Sequence, residues 1–315
     1  MRKFLTDIND FLNHCIYEKN LSPKTIKSYR IDLTQLANFL IKNDYSTQTE
    51  LITKIELRQY LEEISILKPK SIKRKIASIK AMFNYLEFED SITVNPWRKM
   101  RVNIKETKQL PKVMDIGEIK KIFRVAYENN RPSINGNSYA YFEYLRNIAV
   151  VELLFATGAR VSEIAGLKSE NINLTTGTVN IKGKGNKERI IQICNKESLK
   201  ILKDYYMLAK DKIDQAGRYF LVNRLGNKLS DQSIRNIIKQ LAGRAGIEKH
   251  ITPHMFRHTF ATLLLEKDVD IKYIQLLLGH SSIMTTQIYT HVNSAKQKQI
   301  LRTKHPRKDF SMTIF

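Results

Sequence analysis

Apolar residues return every three to four positions along most of this chain, and that spacing predicts helices with one buried stripe each. Phe4, Ile8, Phe11, Leu12 and Cys15 form the first stripe. Ile26, Tyr29, Leu33, Leu36 and Leu40 form the second, behind Ser22-Pro23, an N-cap followed by proline at the first helical position. A shorter helix is expected from Thr53 to about Ile64, and a fourth stripe, Ile72, Ile76, Ile79, Phe83 and Leu86, follows Ser71 as its cap. Four amphipathic helices of this kind make a small bundle.

The helical pattern breaks at Asn95-Pro96. The stretch from Trp97 to Gln109 is polar, basic and without period, as expected of a connection between domains. The expected division is an N-terminal domain over 1–103, a basic linker over 104–110 and a C-terminal domain over 111–315. In the last, helices are predicted from about Ile116 to Glu128 and from about Tyr139 to Phe155, separated by an Asn-, Ser-, Pro- and Gly-rich loop. Thr178 to Ile181 and Glu188 to Ile193 read as a β-hairpin with Gly183-Lys184-Gly185-Asn186 at its tip. Helices are then expected from Lys196 to the end, including one over Ala295 to Arg302. The fold class is mainly α with a small antiparallel β-sheet.

Charge narrows the partner class. Lys and Arg number 53 against 31 Asp and Glu, a net charge of +22, and both parts of the chain are positive. Such a field attracts polyanions, and nucleic acid is the expected partner. Off the buried stripes, the second helix carries Lys24, Lys27 and Arg30, and the fourth carries Lys70, Lys73, Arg74 and Lys80 beside Lys75. These are the candidates to enter a DNA groove or to track its phosphates. Cys15 and Cys194 are too few for a disulfide framework and read as buried free thiols. Asp7 interrupts the first apolar run before it reaches signal-peptide length, and no 18 apolar residues are consecutive. The expectation is a soluble, cytoplasmic, nucleoid-associated protein with no membrane partner.

Several segments carry chemistry suited to phosphoryl transfer, which needs cations on the non-bridging oxygens, an aligned nucleophile and a proton donor for the leaving oxygen. Arg160 follows Gly158, a residue able to end one helix and re-aim the chain, and Glu163 lies one turn on, placed to orient the guanidinium. In Thr252-Pro253-His254-Met255-Phe256-Arg257-His258, a cap and a proline start a helix whose i, i+3 spacing makes His254 and Arg257 neighbours. Phe256, Phe260, Leu263 and Leu264 are its expected buried stripe. His254 and His258 have the spacing of a helical zinc site, but Met255 stands where a metalloprotease needs Glu, and Arg257 repels a cation, so no metal is expected. His280 follows Gly279 at the end of another helix. Ser281 or Ser282 caps the next, whose Met284, Ile288 and Val292 face inward while Tyr289 points elsewhere. Lys184 lacks the Gly-x-x-x-x-Gly-Lys-Ser/Thr context of a nucleotide loop.

In order, Ala156-Thr157-Gly158-Ala159-Arg160-Val161-Ser162-Glu163, Gly183-Lys184-Gly185-Asn186-Lys187-Glu188-Arg189, His254-x-x-Arg257-His258, Leu278-Gly279-His280 and Thr285-Thr286-Gln287-Ile288-Tyr289-Thr290-His291 closely resemble the tyrosine recombinase family, nearest to its Xer-type members and related phage integrases. The resemblance implies a two-domain DNA clamp: a four-helix, SAM-like core-binding domain and a catalytic domain. It implies that Arg160 and Arg257 clamp the scissile phosphate, that His254 and His280 hydrogen-bond it, and that Glu163 supports Arg160. Lys184 would be the general acid and Tyr289 the nucleophile, forming a 3′-phosphotyrosyl bond without ATP, metal or other cofactor. The implied partners are duplex DNA bearing a recombination site and a DNA-dependent homotetramer, or a heterotetramer with a paralogous recombinase. In that assembly the C-terminal helix would dock on a neighbouring subunit. Two features depart from the pattern: Ala159 replaces the expected Leu, and 129–138 reads as extra loop. A type IB topoisomerase and a catalytically silent DNA-binding protein are the competing classes.

Overall fold

The computed structural model describes residues 3–105, 112–128, 138–183, 188–279, 294–310 and 312. The chain divides into two compact units, Met1–Gln109 and Leu110–Phe315.

The first unit consists of α1 (Lys3–Tyr17), α2 (Pro23–Lys42), α3 (Lys54–Glu63) and α4 (Pro69–Phe88). Their stripes meet in one core, in which Leu33, Leu36, Leu40, Leu57, Ile79, Met82 and Phe83 are fully buried. Ser22 caps α2, its side chain accepting from the Thr25 N–H, and Thr53 and Glu56 form a reciprocal capping box on α3. Two expectations are corrected. Helix α4 starts at Pro69 rather than behind Ser71, because proline presets the first helical φ; the Ser71 N–H already bonds the Lys68 carbonyl, 2.8 Å away. The linker also begins later than Trp97. Asn95 caps a short 3-10 turn over Pro96–Lys99, which drives Trp97 and Met100 into the same core. Residues 106–110 of the expected linker lie outside the described residues.

The second unit is built on α6 (Ser138–Thr157), whose residues from Ile148 to Phe155 are all buried. A helix buried on every side belongs at a domain centre, and α5 (Ile116–Glu128), α8 (Lys196–Gln215) and α10 (Pro253–Glu266) pack around it. After α7 (Val161–Ala165) comes a three-stranded antiparallel sheet, β1 (Ile172–Asn173), β2 (Thr178–Lys182) and β3 (Glu188–Gln192), in which Val179 pairs Ile191 and Ile181 pairs Arg189. The hairpin was expected; the two-residue β1 was too short to signal itself. Helical structure does not run unbroken from Lys196. Gly217 and Arg218 turn the chain at positive φ, and Phe220, Leu221 and Val222 are then fully buried before α9 (Asp231–Arg244). Helices α11 (Ile271–Leu278) and α12 (Ser294–Lys304) complete the unit. Cys15 is buried, but Cys194 is half-buried rather than fully so, and both are free thiols. No helix of the described residues is long and apolar enough to cross a membrane.

The C-terminal tail docks on its own chain. Leu301 enters the core, and Arg307 is buried against the equally buried Glu152 of α6, with an Nη2–Oε1 distance of 2.9 Å. Glu152 also accepts from Tyr127 at 2.5 Å and Ser198 at 2.6 Å, and the Arg307 guanidinium lies over the rings of Phe123 and Phe310. Burial and the adjoining carboxylate push the Tyr127 phenol up.

His305, also buried, accepts the Arg307 backbone N–H at Nδ1, 2.9 Å away, so its neutral ring carries the proton on Nε2, where it donates to the Ala156 carbonyl at 3.1 Å. Burial pushes the imidazole down to about 4. The unfolded chain binds this proton at higher pH than the folded one, so stability is intact above about pH 6.5 and falls as pH drops toward about 4. The expected contribution is about 3 kcal/mol. Chemical denaturation at stepped pH checks it: His305→Asn should flatten the profile in that window, and parallel profiles would refute the assignment.

Candidate active site

Arg160 is placed by the way α6 stops. The Thr157 hydroxyl turns back onto the Leu153 carbonyl at 2.6 Å, and Gly158 adopts φ +57°, where a Cβ would also press within 2.6 Å of the Phe260 ring. The chain therefore leaves α6 sharply and presents Arg160 at the head of α7. There the Arg160 backbone N–H donates to Glu163 Oε2 at 2.8 Å and its guanidinium to Oε1 at 2.9 Å.

Arg257 arrives from the first turns of α10. Pro253 occupies the first helical turn as expected, but Thr252, although at the cap position, makes no side-chain capping bond. Arg257 is buried, donating from Nη1 to the Gly158 carbonyl at 3.0 Å and from Nη2 to the Leu278 carbonyl at 2.7 Å. Two carbonyls engage two of the five N–H groups a guanidinium carries. Burial, with the charges of Arg160 and Arg189, pushes Arg257 down to about 10.

His254 lies on the exposed side of α10 and stacks on His258 with ring centroids 6.0 Å apart. Partial burial and then the charges of His258, Arg257, Arg160 and Arg235 hold its imidazole below the usual range. Arg257 and His254 thus share a helical turn, the first buried and the second exposed. Of the expected stripe, Phe256, Phe260 and Leu264 are fully buried and Leu263 is half-buried. Among the described residues no group of His, Cys, Asp and Glu is arranged to hold a metal ion.

Arg189 on β3 joins this cluster and was not singled out from the sequence. It donates from Nη1 and Nη2 to the two oxygens of Glu163, at 3.1 and 2.7 Å, and from Nε to the Leu277 carbonyl at 2.8 Å. Strand alternation carried a signal: Ile191 and Ile193 face inward, so Arg189 shares their side of the pleat. Burial alone would raise the Glu163 carboxyl, but Arg189 and then Arg160 hold it below the usual range. Arg160, Glu163, His254 and Arg257 are therefore brought together. Lys184, His280 and Tyr289 lie outside the described residues, as do the helix expected after Ser281 or Ser282 and residues 129–137 of the extra loop.

In the first unit, Lys24, Lys27 and Arg30 are exposed along α2, and Lys70, Lys73 and Arg74 are exposed on α4. Lys80 is half-buried over the Trp97 ring. Lys75, counted with them from the sequence, is instead buried. The buried Asp32 of α2 accepts from Arg74 at 2.5 Å, Lys75 at 3.3 Å and Ser78 at 2.8 Å. A carboxylate taken out of water needs such partners, so Lys75 serves the helix packing rather than the surface.

Residues 124–296 match the phage integrase family, and residues 8–90 match the phage integrase N-terminal SAM-like domain. A tyrosine recombinase of Agathobacter rectalis is 47% identical over 311 residues, covering 98% of this chain and 99% of that one. Tyrosine recombinase XerD of Listeria innocua is 34% identical over 305 residues, covering 95% and 98% respectively. The solved XerH site-specific recombinase, in a post-cleavage complex with a palindromic difH substrate, shares the fold with a TM-score of 0.67 at 22% identity, over 93% of this chain and 83% of that chain.

Proposed function

This chain belongs to the phage integrase family, and from that premise we propose that it is a site-specific tyrosine recombinase acting on duplex DNA. The observation that carries the reading is the gathering of Arg160, Arg189 and Arg257 around the single carboxylate Glu163, beside His254. Three guanidiniums and one carboxylate leave an excess of positive charge, and Arg257 bears its charge at a cost that a bound anion removes. A backbone phosphate matches that need, since guanidinium forks donate to paired oxygens.

The roles follow. Arg160 and Arg257 hold the non-bridging oxygens and stabilise charge as phosphorus becomes five-coordinate. His254 and His280 hydrogen-bond the same phosphate and assist proton transfer. The Tyr289 oxygen bonds phosphorus as its phenol passes its proton to one of these two imidazoles, and the bond to the 5′ oxygen breaks while Lys184 supplies that oxygen with a proton. The ester is kept as a 3′-phosphotyrosyl link, so the 5′ hydroxyl of a partner strand reverses the step through a Holliday junction without ATP or metal. The first unit, with Lys24, Lys27, Arg30, Lys70, Lys73, Arg74 and Lys80, is the core-binding domain on the DNA; the second is catalytic. The working assembly is a tetramer on a recombination site, serving chromosome-dimer resolution or movement of a genetic element. The identities to XerD and other tyrosine recombinases support this reading.

The test starts by selecting bound duplexes from fragmented genomic DNA. A nick is then placed inside the protected segment, so that the short 5′-hydroxyl strand diffuses away after cleavage. The expected result is a covalent protein–DNA complex that protease removes. Failure to trap any adduct on selected sites would overturn the proposal, and relaxation of a plasmid lacking such a site would move it to a type IB topoisomerase.

A further inference from the structure

Glu163 is asked to do two things at once. Its Oε1 lies 2.9 Å from Arg160 Nη1 and 3.1 Å from Arg189 Nη1, so one oxygen is shared by two guanidiniums. Its Oε2 takes the Arg160 backbone N–H and Arg189 Nη2. The remaining edge of Arg189 reaches a third element through Nε, on the Leu277 carbonyl, while Arg257 takes the neighbouring Leu278 carbonyl. The last carbonyls of a helix have no partner within it, and here two arginines supply partners for α11. The fit is close: Gly279 turns the chain at φ +64°, and a Cβ there would stand 3.1 Å from Arg189 Cδ and Nη1.

We propose that Arg189 is a positioning residue for strand cleavage, one that shares Glu163 with Arg160 and fixes the end of α11. The inference rests on the recombinase reading above. With Arg189 in place, the negative charge of Glu163 is divided between two guanidiniums, and Arg160 keeps positive charge for the scissile phosphate. Without it, the whole carboxylate falls to Arg160 and competes with the DNA. The same loss frees the Leu277 carbonyl, and with it the direction in which the chain leaves Gly279 toward the segment that bears Tyr289. Because β3 is the strand that follows the hairpin tip, Arg189 ties three parts of the machinery together: the hairpin, the α6–α7 turn and the end of α11. A lysine cannot replace it, since a single ammonium has no planar fork to engage both Glu163 oxygens and a carbonyl together.

The experiment uses the full chain and the trapping duplex described above, with thermal melting by circular dichroism and affinity for the unnicked duplex measured in parallel. Arg189→Gln and Arg189→Lys should bind the unnicked duplex as wild type does but cleave slower, by about 10²-fold for Gln, the scale of a misplaced reacting group. The discriminating variant is Arg189→Gln combined with Glu163→Gln. Removing the carboxylate that has turned wholly onto Arg160 should restore part of the lost cleavage rate, which no simple packing staple would do. Wild-type cleavage by Arg189→Gln would overturn the proposal. So would a double variant no faster than Arg189→Gln, or the unfolding of both single variants. If the wild-type chain itself yields no adduct, the failure belongs to the recombinase assignment and not to Arg189.

Discussion

Tyr289→Phe should bind the selected duplex with unchanged affinity and yield no covalent complex, a loss of at least about 10³-fold, because no other group then accepts the phosphoryl bond. The substitution deletes one oxygen and keeps the ring, so packing and net charge are preserved. A phenol with an ordinary pKa of about 10 is almost entirely protonated at neutral pH, and it needs neighbouring positive charge to become a nucleophile. Under the proposed function, the excess charge of the Arg160, Arg189 and Arg257 cluster would supply that setting. Gel electrophoresis after denaturation, with labelled DNA, reads the outcome directly. Equal adduct from Tyr289→Phe and wild type would place the nucleophile on another residue.

Arg307→Met should destabilise the second unit by about 3–5 kcal/mol, the usual consequence of leaving one partner of a buried ion pair without the other. Glu152 would keep its bonds from Tyr127 and Ser198 but lose the cation beside it, and the Arg307 bonds to the Phe310 carbonyl and Glu197 would go as well. Equilibrium denaturation followed by circular dichroism gives the magnitude, and hydrogen exchange should show the loss concentrated in α12 and the docked tail. A companion variant, Arg307→Met with Glu152→Leu, removes both charges and should recover part of the deficit. A single variant as stable as wild type would mean that water reaches this pair and screens it.

The helices could be read from the sequence because their buried stripes repeat within each element, and Arg160 with Glu163, like His254 with Arg257, could be read because each pair lies within one helical turn. What stayed hidden depends on long-range pairing. Arg189 meets Glu163 across 26 positions and Leu277 across 88, and no local period reports such contacts. Lys75 looked like one more surface cation because the sequence does not say that α4 turns it toward Asp32, 43 positions earlier. Trp97 sat in a basic stretch that masked its burial. The burial of Leu301, His305 and Arg307 in the chain's own second unit was equally hidden, because it depends on residues of α5 and α6 far earlier in the chain.

Glu152 and Arg307 are 155 positions apart, so on the ribosome the carboxylate emerges long before its counter-ion. At ordinary elongation speeds the interval is roughly ten seconds or more. Throughout it Glu152 of α6 lacks its Arg307 partner, just ahead of the turn that aims Arg160. The turn that aims Arg160 is therefore expected to reach its final support only after position 307 has joined the fold.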